Sequence, residues 1–169
     1  MHVEALEWVG RCLPRVDPLA SVLEFGSRDI NGTPRCLVQL AAPGATYLGV
    51  DMREGQGVDV VADAAVYRAL RPVDLVICTE VLEHAPDPAG IVANAAANLH
   101  GGGHLVLTCA GPRRPRHSGI VEGAVQPGEH YGAPTLAQLR EWAFAAGLDV
   151  LAIEEADEPN DLRLFARKP

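Results

Sequence analysis

Short apolar runs alternate with helical patterns along this chain of 169 residues, and this alternation constrains the fold more than any other feature. Strands that alternate with helices are typical of βαβ units, in which neighbouring strands pair in parallel. The unbroken apolar run at residues 73–79 predicts a central strand that is buried on both faces. The sequence therefore predicts an α/β fold with a mostly parallel sheet.

Turn and cap residues set the expected bounds of the elements. Pro34 suits the first turn of a helix, Thr135 can cap another, and Gly147 can end it. Residues 101–103 are glycines that we expect to end a helix. Strands are predicted at 21–25, 46–51, 58–62, 73–79, 104–109, 149–155 and 161–168, helices at 2–12, from 34, at 64–70, 89–99 and 135–146, and a loop at 110–134.

The length and composition predict one globular domain over residues 1–169, with 48% hydrophobic and 21% charged residues. The net charge of −8 argues against a broad basic face for nucleic acid. The first residues lack the pattern of a signal peptide, and no run approaches the roughly 18 apolar residues of a membrane span. We therefore expect a cytoplasmic chain without a membrane partner.

The loop after the first predicted strand, E-F-G-S-R-D, points to a nucleoside site. A glycine at Gly26 lets the backbone approach a ligand, and Asp51, at the end of the second strand, can accept both hydroxyls of a ribose. Each residue also has a purely structural interpretation, since Gly26 can shape a turn and Asp51 can form one. Asp63 either caps the next helix or accepts a hydrogen bond from an adenine amino group, beside the Ala64 N–H.

The strongest signal is V-D-L-V-I-C-T-E-V-L-E-H, a buried strand that runs directly into acids and a histidine. Ligands of open α/β sheets bind at the carboxyl ends of the strands. With this motif at Glu80–His84, the chain from 21 to 167 resembles the class I S-adenosylmethionine-dependent methyltransferases. The resemblance implies a Rossmann-like three-layer sandwich with a seven-stranded sheet of order 3-2-1-4-5-7-6, in which strand 7 is antiparallel.

The same resemblance implies that S-adenosylmethionine is the cofactor and S-adenosylhomocysteine the product. The methionine part would lie beside the loop after strand one and the end of strand four, the ribose at Asp51, and the adenine near Asp63. Arg28 and Asp29 stand where the family usually has a second glycine, which is a departure from its pattern. The expected cofactor-binding residues are Glu24, Gly26, Ser27, Asp51, Met52, Asp63, Ala64, Thr79 and Glu80.

Two histidines are candidates for a catalytic base, which a protonated acceptor requires. His84 and His130 are named because histidine titrates near neutral pH. The alternatives are that His84 caps or packs under the sheet and that His130 is an ordinary loop residue. Methyl transfer from a sulfonium needs no metal, and we expect none. A less favoured hypothesis has Glu80, Glu83, His84 and His130 hold a divalent ion.

The acceptor is not identified by the sequence. We expect a small molecule, with an anionic group as one option because Arg113, Arg114 and Arg116 lie in the predicted loop. A nucleic-acid or protein acceptor ranks below it. Two alternatives stay open: a relative that binds the cofactor or a partner without catalysis, and an oxidoreductase that uses a nicotinamide cofactor. The oxidoreductase shares the glycine turn and Asp51 but does not predict E-V-L-E-H.

Overall fold

Seven strands form one sheet in this computed structural model, which describes residues 2–169. The sheet order is β3-β2-β1-β4-β5-β7-β6, with β7 antiparallel to both of its neighbours and the other pairs parallel. The predicted order and the antiparallel seventh strand are confirmed. The strands are β1 (Ser21–Phe25), β2 (Thr46–Asp51), β3 (Val60–Val61), β4 (Val73–Thr79), β5 (Leu99–Ala110), β6 (Asp149–Glu155) and β7 (Asp161–Arg167).

Four helices cover the sheet: α1 (Val3–Cys12), α2 (Arg35–Ala41), α3 (Pro88–Asn98) and α4 (Leu136–Ala145). The predicted cap of α4 is confirmed, because the Thr135 hydroxyl accepts from the Gln138 N–H and the Gln138 side chain accepts from the Thr135 N–H. Within residues 2–169, every helix is too short or too polar to cross a bilayer.

The central strand β4 is buried along its whole length and contributes to two separate apolar clusters. Leu75 and Ile77 pack in the cluster that contains α1 and α2 side chains, whereas Val76 and Cys78 pack with those of α3 and α4. This alternation follows from the two-residue period of a strand. It produces the three layers that the sequence predicted.

The helix predicted at 64–70 is wrong, because this segment forms a turn. The Asp63 carbonyl accepts from the N–H groups of Val66 and Tyr67, which starts one helical turn. The turn does not continue, because side chains of α3 bond the next backbone groups. Asn94 and Asn98 donate to the Tyr67 carbonyl, and Asn98 accepts from the Ala69 N–H.

Three element ends also differ from the predictions. Residues 101–103 lie inside β5 and do not end α3, since Leu99 is already paired with Val73 and the register shifts before Leu75. Pro34 precedes α2 as its cap residue instead of opening its first turn. The third strand contains only two residues. The other predicted strand positions agree with the structure to within a few residues.

Asp74 fastens the amino-terminal edge of the sheet. Its carboxylate accepts from the N–H groups of Ala20 and Ser21 at 3.0 and 2.7 Å, from the Ser21 hydroxyl at 2.7 Å, and contacts His100 Nε2 at 2.7 Å. Burial raises the pKa of Asp74, but these hydrogen bonds outweigh it and hold the pKa below its usual value of 3.8. The network ties β1, β4 and β5 together at the edge opposite the cavity described below.

Asp74→Asn should lower the melting temperature near neutral pH, because an amide cannot accept all of these hydrogen bonds. The expected loss is about 1–3 kcal/mol, the usual size for hydrogen bonds to a charged group. A lowered folded-state pKa stabilises above the unfolded pKa, so the difference between the two proteins should shrink as the pH falls below about 4. Thermal unfolding from pH 3 to 8 measures this.

Asp149→Asn is the matched control, because Asp149 is exposed at the start of β6. It should leave the melting temperature unchanged at every pH. Equal melting temperatures for Asp74→Asn and the unsubstituted protein would contradict the role given to Asp74.

Candidate functional site

A cavity of about 1070 Å³ lies at the carboxyl ends of β1, β2 and β4. Its volume is slightly above the range of roughly 300–1,000 Å³ that is usual for small-molecule sites. The lining includes the turn after β1, the end of β2, residues 62–65, the end of β4 with the residues that follow it, and part of the segment 114–130, together with His2 and Ile91. One cavity therefore collects the ends of three parallel strands and a long loop.

The turn after β1 brings the backbone close to the end of β4. Gly26 has a φ of +76°, and a Cβ there would overlap the Val81 side chain. The N–H groups of Gly26 and Ser27 both donate to the Val50 carbonyl, at 2.9 and 3.2 Å. These contacts require glycine at position 26 and fix the turn against β2.

The turn closes without the second glycine that the family usually has. Asp29 supplies the closure, since its carboxylate accepts from the Gly32 N–H at 2.8 Å and its own N–H donates to the Gln56 carbonyl at 2.8 Å. An Asx-type hydrogen bond of this kind is a common way to shape a tight turn. The departure at Arg28 and Asp29 is thus accommodated locally.

Asp51 ends β2 with its carboxylate in the cavity lining. The N–H groups of Arg28 and Arg53 donate to its two oxygens at 3.2 and 2.9 Å. Met52 follows it in the lining and is 69% exposed. Two backbone donors thus orient the carboxylate while it remains half-buried at the cavity wall.

Asp63 and Ala64 form the opposite end of the lining. The Asp63 carboxylate accepts from the Ala65 N–H at 2.8 Å, so it stabilises the turn that stands in place of the predicted helix. Its role beside an adenine remains a prediction, and the two roles are compatible because a carboxylate has several acceptor positions.

Thr79 and Glu80 form the end of β4 and line the cavity beside Gly26. The buried Thr79 hydroxyl has no hydrogen-bond partner within residues 2–169. Glu80 has a φ of +58°, which is uncommon for a residue with a side chain, and its carboxylate accepts from the Thr108 hydroxyl at 2.9 Å. Strained backbone of this type concentrates at functional sites.

Glu24 and Ser27 are buried and lie outside the cavity lining. The Glu24 carboxyl accepts from the Tyr47 hydroxyl at 2.9 Å, and burial raises its pKa to about 8. The structure brings the other seven expected cofactor-binding residues together around the cavity: Gly26, Asp51, Met52, Asp63, Ala64, Thr79 and Glu80.

Both candidate bases line the cavity, in different surroundings. His130 is exposed, whereas His84 is half-buried with its ring edge-to-face with those of His117 and Tyr131, at centroid distances of 5.1 and 5.4 Å. Burial and the neighbouring His117 lower the pKa of His84 to about 4. His84 is therefore neutral at neutral pH.

The four residues of the metal hypothesis do not meet as one set. Donor atoms of Glu83, His84 and His117 lie within 4.8 Å of one another, whereas Glu80 groups with other residues. Glu83 is fully buried and accepts from the Ala110 N–H at 3.1 Å. Burial and the nearby Glu80 raise the pKa of Glu83 well above its usual value, which disfavours the charged form that a cation would bind.

The long loop (residues 111–134) follows β5, which extends one residue further than predicted, through Ala110. Its Ser118 hydroxyl accepts from the N–H groups of Ile120 and Val121 and donates to Glu129 at 2.8 Å. Arg28 Nη1 donates to the Ile120 carbonyl at 3.4 Å. The loop is thus structured and lies against the turn that follows β1.

The arginines proposed to bind an anionic acceptor are dispersed. Arg113 is exposed and pairs with Glu155 and Asp157 at 3.3 and 3.0 Å, outside the cavity lining. The Arg116 guanidinium lies 5.4 Å from the Tyr131 ring centroid. Of the three arginines, Arg114 alone lines the cavity. The anionic acceptor therefore stays a prediction.

The lining residues that the sequence did not predict as catalytic or cofactor-binding include His2, His117 and Arg114. His2 Nε2 lies 3.2 Å from a Glu80 oxygen and 3.1 Å from an Asp161 oxygen. Burial lowers the pKa of His2, but these two carboxylates outweigh it and raise the pKa to about 10. The residues around His2 show no pattern that predicts a site, because its partners Glu80 and Asp161 lie far away in the sequence.

Comparison with known proteins gives one family. Residues 1–153 match the family model described as a methyltransferase domain. A ubiquinone biosynthesis O-methyltransferase from Coxiella burnetii is 29% identical over 138 residues, which are 68% of this chain and 58% of that enzyme. Its counterpart from Thiobacillus denitrificans is 31% identical over 134 residues, 65% and 58% of the two chains. The chain thus spans less than two thirds of the length of these relatives.

Solved structures agree in fold. The 1,6-didemethyltoxoflavin-N1-methyltransferase of Burkholderia thailandensis, solved with S-adenosylhomocysteine, superposes with a TM-score of 0.74 at 17% identity, over 97% of this chain and 78% of that one. The magnesium protoporphyrin IX methyltransferase of Synechocystis, solved with S-adenosylmethionine, gives 0.70 at 17% identity, over 98% and 79%. At these identities the likeness establishes the shared fold.

Gly26→Ala should weaken binding of S-adenosylhomocysteine by about tenfold or more, because a side chain there is strained and displaces the turn from Val81. Isothermal titration calorimetry measures the dissociation constant. Gly10→Ala is the control, since Gly10 lies in α1 with no atom within 4 Å of the added Cβ. Equal affinity of Gly26→Ala and Gly10→Ala would contradict the placement of the ligand at this turn.

Proposed function

Because this chain belongs to the methyltransferase domain family and has the fold of S-adenosylmethionine-dependent methyltransferases, we propose that it methylates a hydroxyl group of a small molecule. Support for a hydroxyl comes from the relatives, which are named O-methyltransferases. The observation that carries the proposal is a single cavity with the expected cofactor residues at one side and a neutral histidine, His84, at the other.

The residues present fit S-adenosylmethionine. Gly26 provides a wall that a side chain would fill, and the Thr79 hydroxyl is buried without a protein partner. Asp51 would accept the ribose hydroxyls, Asp63 and Ala64 would contact the adenine, and Thr79 and Glu80 would border the methionine part. When bound, the cofactor supplies a methyl group on a positively charged sulfur.

The contribution of the protein is positioning and proton transfer. The cavity would hold an acceptor hydroxyl against the methyl group that the cofactor supplies, so that the two reacting groups are positioned before reaction. The hydroxyl proton moves to a ring nitrogen of His84, which is unprotonated at neutral pH. Since a pKa of about 4 makes a weak base, proton transfer accompanies carbon–oxygen bond formation in this scheme and does not precede it.

The apolar part of the cavity lining favours an acceptor with an apolar body. Ile30 and Val121 line the cavity and are 46% and 45% exposed, and Ile120 of the long loop lines it too, with its carbonyl accepting from Arg28. Burial of such side chains by a ligand is favourable because it removes apolar surface from water. Together with the enclosing long loop, these residues support a small molecule in preference to a macromolecule.

The test is a set of aromatic acceptors that share one ring and differ only in the nucleophile: hydroxyl, amine or thiol. We expect S-adenosylhomocysteine to form with the hydroxyl compound. His84→Gln should lower kcat about 100-fold or more, the usual effect of a lost general base, and leave the dissociation constant of S-adenosylhomocysteine unchanged. His130→Gln should lower kcat less, because His130 is exposed.

Two outcomes would contradict the proposal. Turnover with the amine compound alone would indicate that the protein methylates nitrogen and not oxygen. Cofactor binding without turnover of any acceptor would indicate a protein that binds the cofactor without catalysis. The same assay run with EDTA tests whether turnover requires a divalent metal, and we expect the rate to stay unchanged. A loss that Mg²⁺ or Mn²⁺ restores would assign Glu83, His84 and His117 to a cation.

A further inference from the structure

Two cations, His2 and Arg114, contact two carboxylates, Glu80 and Asp161, at one wall of the cavity. We call these four residues the mixed-charge cluster. Arg114 Nη1 lies 3.3 Å from a Glu80 oxygen and also pairs with Asp161, and His2 contacts both carboxylates. The Asp161 side chain is fully buried, while those of Arg114 and Glu80 are 17% and 12% exposed. The charges thus compensate one another where desolvation would otherwise be costly.

Arg114 uses only part of its guanidinium in these contacts. Within residues 2–169, the guanidinium pairs with Glu80 and Asp161 through Nη1, and the same atom lies 2.8 Å from His2 Nε2. Its Nε and Nη2 have no hydrogen-bond partner within residues 2–169, and neither nitrogen is fully buried. The side edge that these two nitrogens form remains available at the cavity wall, and such an edge binds a carboxylate through two parallel hydrogen bonds.

The mixed-charge cluster lies beside the methionine end of the expected cofactor. Glu80 directly follows Thr79, whose carbonyl oxygen is 3.8 Å from the position of a Cβ on Gly26. His2, Glu80 and Arg114 line the cavity, whereas Asp161 does not. One wall therefore presents a carboxylate and a guanidinium side by side. An α-amino acid carries the complementary pair, an ammonium and a carboxylate on one carbon.

We propose that Arg114 is a cofactor-binding residue whose guanidinium binds the carboxylate of the methionine part, while Glu80 receives the ammonium. This inference rests on the proposed function, because it requires the adenosyl cofactor in this cavity. An acceptor carboxylate has the same chemistry, so the experiment must separate the two sources. Arg114 comes from the long loop, so this contact would join that loop to the bound cofactor.

The experiment compares S-adenosylhomocysteine with its decarboxylated form, which keeps the ammonium but lacks the carboxylate. Calorimetry without acceptor gives the ratio of the two dissociation constants for each protein. We expect the unsubstituted protein to prefer S-adenosylhomocysteine by about 10- to 100-fold, the usual value of a charge-assisted pair. In Arg114→Gln the ratio should fall close to one, because only S-adenosylhomocysteine has a carboxylate that loses its arginine partner.

Arg113→Gln is the matched control. Arg113 is the neighbouring arginine, pairs with exposed Glu155 and Asp157, and lies outside the cavity lining, so its removal should leave the ratio unchanged. Arg114→Lys keeps a positive charge beside Glu80 and Asp161 and serves where Arg114→Gln fails to fold. It should give an intermediate ratio, since an ammonium cannot make the two parallel hydrogen bonds.

Three results would overturn the inference. An unchanged ratio of the two dissociation constants in both Arg114 variants would mean that the guanidinium does not bind the carboxylate of the cofactor. An equal loss for both ligands would reduce Arg114 to a structural support of the loop. An unchanged ratio with a raised KM for a carboxylate-bearing acceptor would assign Arg114 to the acceptor. If the unsubstituted protein binds neither ligand, the proposed function itself fails, which the first titration reveals before any variant is made.

Discussion

The burial of β4 on both faces is the constraint from which the rest of the structure follows. Side chains of β4 belong to the apolar clusters on both faces of the sheet, so β4 must lie in the middle of the sheet. The strands β1 and β5 pair with it in parallel. Parallel pairing brings the carboxyl ends of neighbouring strands to one edge. Asp74 fastens the opposite edge, so structural and candidate functional polar groups are segregated at the two ends of the same strands.

Electrostatic compensation lets this edge hold several charges in a partly desolvated cavity. The carboxylates of Glu80 and Asp161 are matched by Arg114 and His2, and Asp51 is held by backbone N–H groups. These partners compensate the negative charges of the acids in the scheme we propose. Histidines at the same wall behave differently: His2 is held protonated by its carboxylates, whereas His84, packed among rings, is neutral. Environment, not residue type, separates their roles.

The sequence predicted the sheet well because apolar runs and turn residues act locally. Gly26 and Asp51 were found in this way, since each follows a recognisable strand. The segment 64–70 was predicted wrongly because Asn94 and Asn98, about 30 residues away, supply its hydrogen bonds. His2 and Arg114 were missed as partners of Glu80 for the same physical reason: long-range ion pairs leave no local pattern. The long loop was found as a loop, but which of its side chains enter the cavity depended on tertiary contacts.

A crystal structure of the protein with S-adenosylhomocysteine is the most direct test of the central claim, that the carboxyl edge of β1, β2 and β4 is the cofactor site. We expect the ribose hydroxyls within hydrogen-bond distance of the Asp51 carboxylate, about 2.5–3.0 Å, and the sulfur turned toward His84. A ligand bound elsewhere, or an Asp51 that contacts only the Arg28 and Arg53 amides while the ligand is present, would contradict it.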